Sequence, residues 1–265
     1  MVSASASFTG PEYYDNLMGP LWFDPFAVDL VQRVPVRPPG HVLEIACGTG
    51  IVTRRLRDRI DPSLRLVATD LSKAMLDYAR AKLKERKGIE WQEADALRLP
   101  FENGAFGAVV CGFGIMFVPD RQAMLKEARR VLVEGGLLVF NVWDRLELNT
   151  HAAANAAVLE EMFPDDAEMR FRAPFDMHEP ELLRRLLDVA RFRDKRIESK
   201  RVPIEGDPRS IATGQIRGTP RSALIEKRGA ALEHVIEKVA AALARTGGTP
   251  YKGFAQAVVV EALAV

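Results

Sequence analysis

The chain has almost no net charge to offer a partner, since 37 Lys and Arg stand against 36 Asp and Glu over 265 residues. Without a basic excess it cannot displace many phosphate counterions or hold an anionic bilayer, so no nucleic acid and no membrane partner is expected. Cysteine is scarce as well. Cys47 and Cys111 are too few for a disulfide framework and lack the Cys-x-x-Cys spacing of zinc and redox sites, so both are expected to be reduced and no metal is expected. No window approaches the about 18 apolar residues that span a bilayer. Residues 1–10 have no basic segment followed by an apolar stretch, which makes a cytoplasmic location the expectation.

What is present is an α/β pattern. Apolar residues make up 48% of the chain, enough at this length for a core that buries about three quarters of its surface. Strand and helix signals alternate from residue 20 to 143, predicting strands over 42–46, 64–70, 88–93, 106–111 and 136–143 with helices between them. Asp24 followed by Pro25 opens a first helix that ends near Pro35. Ser72 and Asp120 cap two more, the second expected to stop at Gly135-Gly136.

After Trp143 the composition shifts. An alanine-rich helix over 151–162 is broken at Pro164, another opens at Pro180, and a sixth strand is expected over 192–203. Thr219-Pro220 is expected to start one long helix whose stripe of Leu232, Val235, Ile236, Val239, Ala240 and Leu243 keeps 3.6-residue spacing. Residues 254–265 read as the last strand. The expected division is therefore a core of 1–205 with 250–265, and a helical insertion over 206–249 that serves as a cap or a subunit contact, the latter implying a homodimer.

The first strand runs into Val42-Leu43-Glu44-Ile45-Ala46-Cys47-Gly48-Thr49-Gly50, an acid inside the strand followed by a Gly-x-Gly turn. Glycine at such a turn lets backbone approach a ligand at the carboxyl end of a parallel sheet. A dinucleotide fingerprint would place a third glycine or alanine three residues after Gly50, where Thr53 stands instead, so the pyrophosphate reading loses support. Asp70 ends the second strand twenty residues beyond Gly50, where its two oxygens can accept both hydroxyls of a ribose.

These residues resemble the class I S-adenosylmethionine-dependent methyltransferases, in particular their ubiquinone/menaquinone-biosynthesis-like small-molecule branch. The resemblance rests on Leu-Glu-Ile-Ala-Cys-Gly-Thr-Gly at 43–50, Ala-Thr-Asp-Leu-Ser at 68–72, Glu-Ala-Asp-Ala-Leu-Arg-Leu-Pro-Phe at 93–101, and the block from Phe106 through Gly136. It implies a doubly wound, Rossmann-like sheet of seven strands, mostly parallel with the last strand antiparallel, plus the helical insertion. It also implies S-adenosylmethionine as cofactor. Glu44, Ala46, Cys47, Gly48 and Gly50 would surround its methionine part, Asp70 its ribose, Leu71 its adenine face, and Asp95 with the backbone of Ala96 the adenine edge. Cys111 would border cofactor and acceptor, and Tyr14, in a segment with Trp22, would fold over the cofactor.

The implied reaction is methyl transfer to a small-molecule acceptor by in-line displacement, with no catalytic residue assigned. After the fourth strand the chain reads Cys111-Gly112-Phe113-Gly114, without the Pro-Pro-Tyr/Phe motif of enzymes that methylate base amines. His151 and His178 are candidates for removing an acceptor proton. Two other readings stay open at this point: a nicotinamide-dependent oxidoreductase, and a non-catalytic methyltransferase-like binding module.

Overall fold

Seven strands join in one sheet, in the order β3-β2-β1-β4-β5-β7-β6, in the computed structural model, which describes residues 10–169 and 172–265. They are β1 (His41–Ile45), β2 (Leu66–Asp70), β3 (Ile89–Glu93), β4 (Phe106–Gly112), β5 (Leu132–Trp143), β6 (Phe192–Gly206) and β7 (Tyr251–Ala264). The α-helices are α1 (Gly10–Tyr13), α2 (Asp24–Gln32), α3 (Ile51–Arg59), α4 (Lys73–Lys82), α5 (Arg121–Val131), α6 (Thr150–Met162), α7 (Pro180–Val189), α8 (Pro208–Arg217), α9 (Arg221–Lys227) and α10 (Leu232–Gly247). Tyr14–Phe23 forms a π-helix. No helix among the described residues is long and apolar enough to cross a membrane.

The chain divides into two units, each with its own packed interior. The sheet unit comprises 24–149, 172–202 and 254–265. In it β1 pairs in parallel with β2 and β4, β2 with β3, and β4 with β5, whereas β7 runs antiparallel to β5. Successive strand residues point to opposite faces, so burial of Val42, Leu43 and Ile45 alike requires cover on both sides of β1. On one face Leu30 of α2 and Leu56 of α3, with Val34 and Ile60 just beyond the two helices, pack with Val42, Leu66, Ala108 and Val110. Helix α5 packs on β5, burying Met124, Leu125 and Ala128. The expected caps form: Ser72 accepts from the Met75 N–H and Asp120 from the Ala123 N–H.

Two sequence expectations change here. Helix α5 stops at Val131 and β5 begins at Leu132, four residues before the strand expected at Gly136. Gly135, with φ +70°, lies in a register shift between β4 and β5, where Phe106 pairs with Leu132 and Ala108 with Leu137. The glycine pair therefore makes a bulge rather than a helix stop. The long helix expected from Thr219-Pro220 is two helices, because Gly229, at φ +73°, ends α9 before α10 starts at Leu232.

The helical unit comprises residues 10–23, 150–169 and 203–253, a different division from an insertion over 206–249 alone. The cause is apolar burial. Helix α10 packs on α8 and α6, and α8 packs on the π-helix. The close approach is set by Gly214, where a Cβ would lie 2.9 Å from that of Leu17, and by Gly218, where it would lie 2.9 Å from the Tyr14 nitrogen. Leu232, Val235, Ile236, Val239 and Leu243 of the α10 stripe are buried within the chain.

Candidate functional site

The carboxyl end of β1 turns on three left-handed residues: Ala46 at φ 56°, Gly48 at 53° and Gly50 at 78°. The two glycines serve different ends. A Cβ at Gly50 would come within 3.0 Å of Leu83 Cδ1 and 3.2 Å of Ala79 Cβ, so this glycine lets the loop close on the segment around α4. A Cβ at Gly48 would meet nothing within 4 Å, so that side of the loop is open space. The Gly48 N–H donates to Asp70 Oδ2 at 2.7 Å, and the Ser72 N–H donates to Asp70 Oδ1 at 2.8 Å. The loop after β1 is thereby tied to the acid that ends β2.

Burial pushes the Asp70 carboxyl above its ordinary range, opposed by the N–H groups of Ser72, Gly48 and Leu71. Leu71, beside it, is 68% exposed, a large apolar face turned to solvent next to a polar anchor. Glu44 lies deeper in β1 and is buried, with no hydrogen-bond partner on Oε2. Burial pushes its pKa up to about 8, Asp70 adds to the shift, and Thr53, which faces it from the first turn of α3, acts in the opposite sense. Thr53 is fully buried, so the start of α3 offers a side chain where a dinucleotide fold offers bare backbone.

Asp95 and Ala96 follow β3. Asp95 is exposed, and its Oδ1 accepts from the Leu97 N–H at 2.9 Å in a side-chain turn. Cys111, in β4, is buried, and burial pushes its thiol up to about 12. Burial raises the Cys47 thiol as well, so both are neutral and poorly reactive. The sheet unit thus collects Glu44, Ala46, Cys47, Gly48, Gly50, Asp70, Leu71, Asp95, Ala96 and Cys111 at the carboxyl ends of β1 to β4. Tyr14 belongs to the helical unit, where its ring stacks on Phe23 at 4.6 Å.

The two candidate bases lie in different units. His151, in the helical unit, is buried and stacks on Trp22 at 4.4 Å, with the Gln215 amide 2.8 Å from its Nδ1. Burial lowers its pKa to about 3, so the imidazole is neutral and a weak base. In the sheet unit, His178 Nδ1 lies 2.7 Å from the Phe175 carbonyl and its Nε2 2.8 Å from Glu179, so both ring nitrogens are engaged. Among the described residues no group of three or more His, Cys, Asp or Glu is placed to hold a metal ion.

One feature at the ends of β4 and β5 was not foreseen from sequence. Phe113 stacks on Trp143 at 4.1 Å and meets Phe26 edge-on at 5.5 Å, while Phe26 meets Trp143 at the same distance. Asn141, buried in an otherwise apolar stretch of β5 over 137–143, accepts from the Phe113 N–H at 2.9 Å. A lone amide in the run Leu137-Leu138-Val139-Phe140-Asn141-Val142-Trp143 was the available signal, because a buried polar side chain needs a specific partner.

Residues 42–136 match the family model for a methyltransferase domain. A demethylmenaquinone methyltransferase of Lactococcus lactis is 43% identical over 100 residues, which cover 37% of this chain and 40% of that protein. One of Staphylococcus aureus is 33% identical over 129 residues, covering 48% of this chain and 54% of that protein. The chain thus spans about half the length of these curated relatives. In fold it is similar to the YcgJ protein of Bacillus subtilis, with a TM-score of 0.60 at 15% identity over 90% of this chain and 97% of that one. It is also similar to phosphoethanolamine N-methyltransferase 2 of Haemonchus contortus, solved with S-adenosyl-L-methionine, with a TM-score of 0.62 at 17% identity over 96% of this chain and 56% of that one.

Proposed function

We propose that this chain, whose residues 42–136 match the family model for a methyltransferase domain, is a class I methyltransferase that transfers the methyl group of S-adenosylmethionine to a small-molecule acceptor. The observation that carries the reading is the loop after β1. It has open space at Gly48, and its N–H is held by an acid whose neighbour, Leu71, presents bare apolar surface. A ligand with a polar ribose next to a flat apolar ring fits that pairing, with Asp70 accepting the hydroxyls and Leu71 lying against the ring. Asp95 and Ala96 would take the ring's polar edge, and the turn from Ala46 to Gly50 the amino-acid end. Bound there, the cofactor supplies a methyl carbon that its sulfonium already makes electrophilic.

The protein's part is then positioning. Holding nucleophile, methyl and sulfur in line can supply roughly 7–11 kcal/mol without a covalent residue. That requirement agrees with two cysteines, near the carboxyl ends of β1 and β4, that burial keeps neutral. The named relatives act on demethylmenaquinone, so quinol-type aromatics are the first acceptors to test. The cytoplasmic placement belongs to this proposal too, supported by two buried cysteines that remain thiols.

Calorimetry with S-adenosylhomocysteine tests the site. Removing the charged acceptor in Asp70→Ala should weaken binding by about 1.5–3 kcal/mol, or roughly 10- to 150-fold. NAD should not bind to the unaltered protein. Unchanged affinity in the variant would remove Asp70 from the site, and tight NAD binding would return the oxidoreductase reading.

A further inference from the structure

The turn after β4 contains Phe113, a bulky residue held at φ +59°. Left-handed backbone is costly for such a side chain and persists only where its surroundings hold it. Two groups do so. The ring is fixed by Trp143 and Phe26, and the backbone by Asn141, whose Oδ1 accepts from the Phe113 N–H. Asn141 stands on β5 opposite Gly112 of β4 and Val259 of β7, so its place is set by the sheet rather than by a loop.

The consequence is felt one residue on. The turn brings Gly114 so close to the glycine loop that a Cβ there would lie 2.4 Å from Ala46 Cβ and 2.9 Å from Cys111 Sγ. Ala46 is itself a left-handed, non-glycine residue at the head of that loop. Two strained turns, one after β1 and one after β4, therefore abut at Gly114, and the hydrogen bond that the Phe113 N–H donates to Asn141 Oδ1 fixes the conformation of the second.

We propose that Asn141 is a positioning residue, which through the Phe113 N–H holds the β4 turn against the glycine loop and so sets cofactor affinity from within the sheet. The inference rests on the methyltransferase reading above. Aromatic packing alone would fix the Phe113 ring without specifying its backbone angle, so the amide and the aromatics have separable effects.

A double-substitution cycle separates them. S-adenosylhomocysteine is titrated by calorimetry into the unaltered protein, Asn141→Leu, Phe113→Gly and the double variant, and each is melted in parallel. Asn141→Leu should melt cooperatively yet bind at least about tenfold more weakly. Glycine adopts positive φ without strain, so adding Asn141→Leu to Phe113→Gly should cost less than about threefold. Equal losses in both backgrounds, or no loss in either, would make Asn141 a core-packing residue and overturn the proposal. Should Asn141→Leu fail to fold, Asn141→Ala takes its place, and failure of both to melt cooperatively would also overturn it. If the unaltered protein does not bind S-adenosylhomocysteine, the methyltransferase reading falls and this inference with it. Binding that is insensitive to Asn141 removes only the inference.

Discussion

Replacing Glu44 with glutamine should make the protein more stable than the unaltered chain at pH 8.5 while leaving the two nearly alike at pH 4.5. Glu44 is buried inside β1, and its folded-state pKa of about 8 lies above the ordinary value of 4.5. A raised carboxyl pKa means that the folded state holds a proton which the unfolded chain releases. The stabilisation linked to that proton is complete below about pH 4.5 and declines as pH rises, at about 1.4 kcal/mol per unit, until the folded group ionises near pH 8. Glutamine keeps the shape and cannot ionise, so the difference between the two proteins reports Glu44 together with its coupling to Asp70 and Cys47. Urea unfolding of both proteins at several pH values measures it, and parallel pH profiles would show that Glu44 is ionised at no such cost.

The second large effect is expected at Gly107. A Cβ on this residue would lie 2.5 Å from the Gly40 nitrogen, 2.7 Å from the Pro39 carbonyl carbon and 3.0 Å from Gly40 Cα. All three neighbours are backbone, so no side-chain rotation relieves the clash, and β4 or the entry to β1 must shift. Overpacking of this kind costs about 1–3 kcal/mol, and Gly107→Ala belongs at the upper end because the main chain has to move. At this chain length about 3 kcal/mol corresponds to a fall of about 6–12 °C in Tm. Gly10→Ala, where a Cβ meets nothing within 4 Å, is the control and should move Tm little. A Gly107→Ala protein that melts with the unaltered one would show that the Pro39-Gly40 segment yields freely.

Much of the sheet was legible because its signals are local. The strand signals at 42–45 and 106–111, the caps at Ser72 and Asp120, and the proline after Asp24 each act within a few residues, and the structure has strands and helices at those places. The same holds for the glycine turn, since positive φ at Gly48 and Gly50 is a property of the residue and its neighbours. Where a local signal had two readings, sequence chose poorly. Gly135-Gly136 can end a helix or make a bulge, and only the partner strand β4 decides which.

What sequence determined, then, was the order of elements and the presence of a glycine loop followed by an acid at the end of β2. Tertiary structure alone decided that Gly48 faces open space while Gly50 packs on Leu83, and that His151 is neutral against Trp22 rather than a base. It also decided that α10 is core within a helical unit that includes α6 and the π-helix, and that Asn141 reaches the backbone of Phe113, 28 residues away. The division has a physical basis. Turns, caps and periodicity depend on a few adjacent dihedrals, whereas burial, pKa and hydrogen-bond partners depend on groups brought together only when the chain has folded.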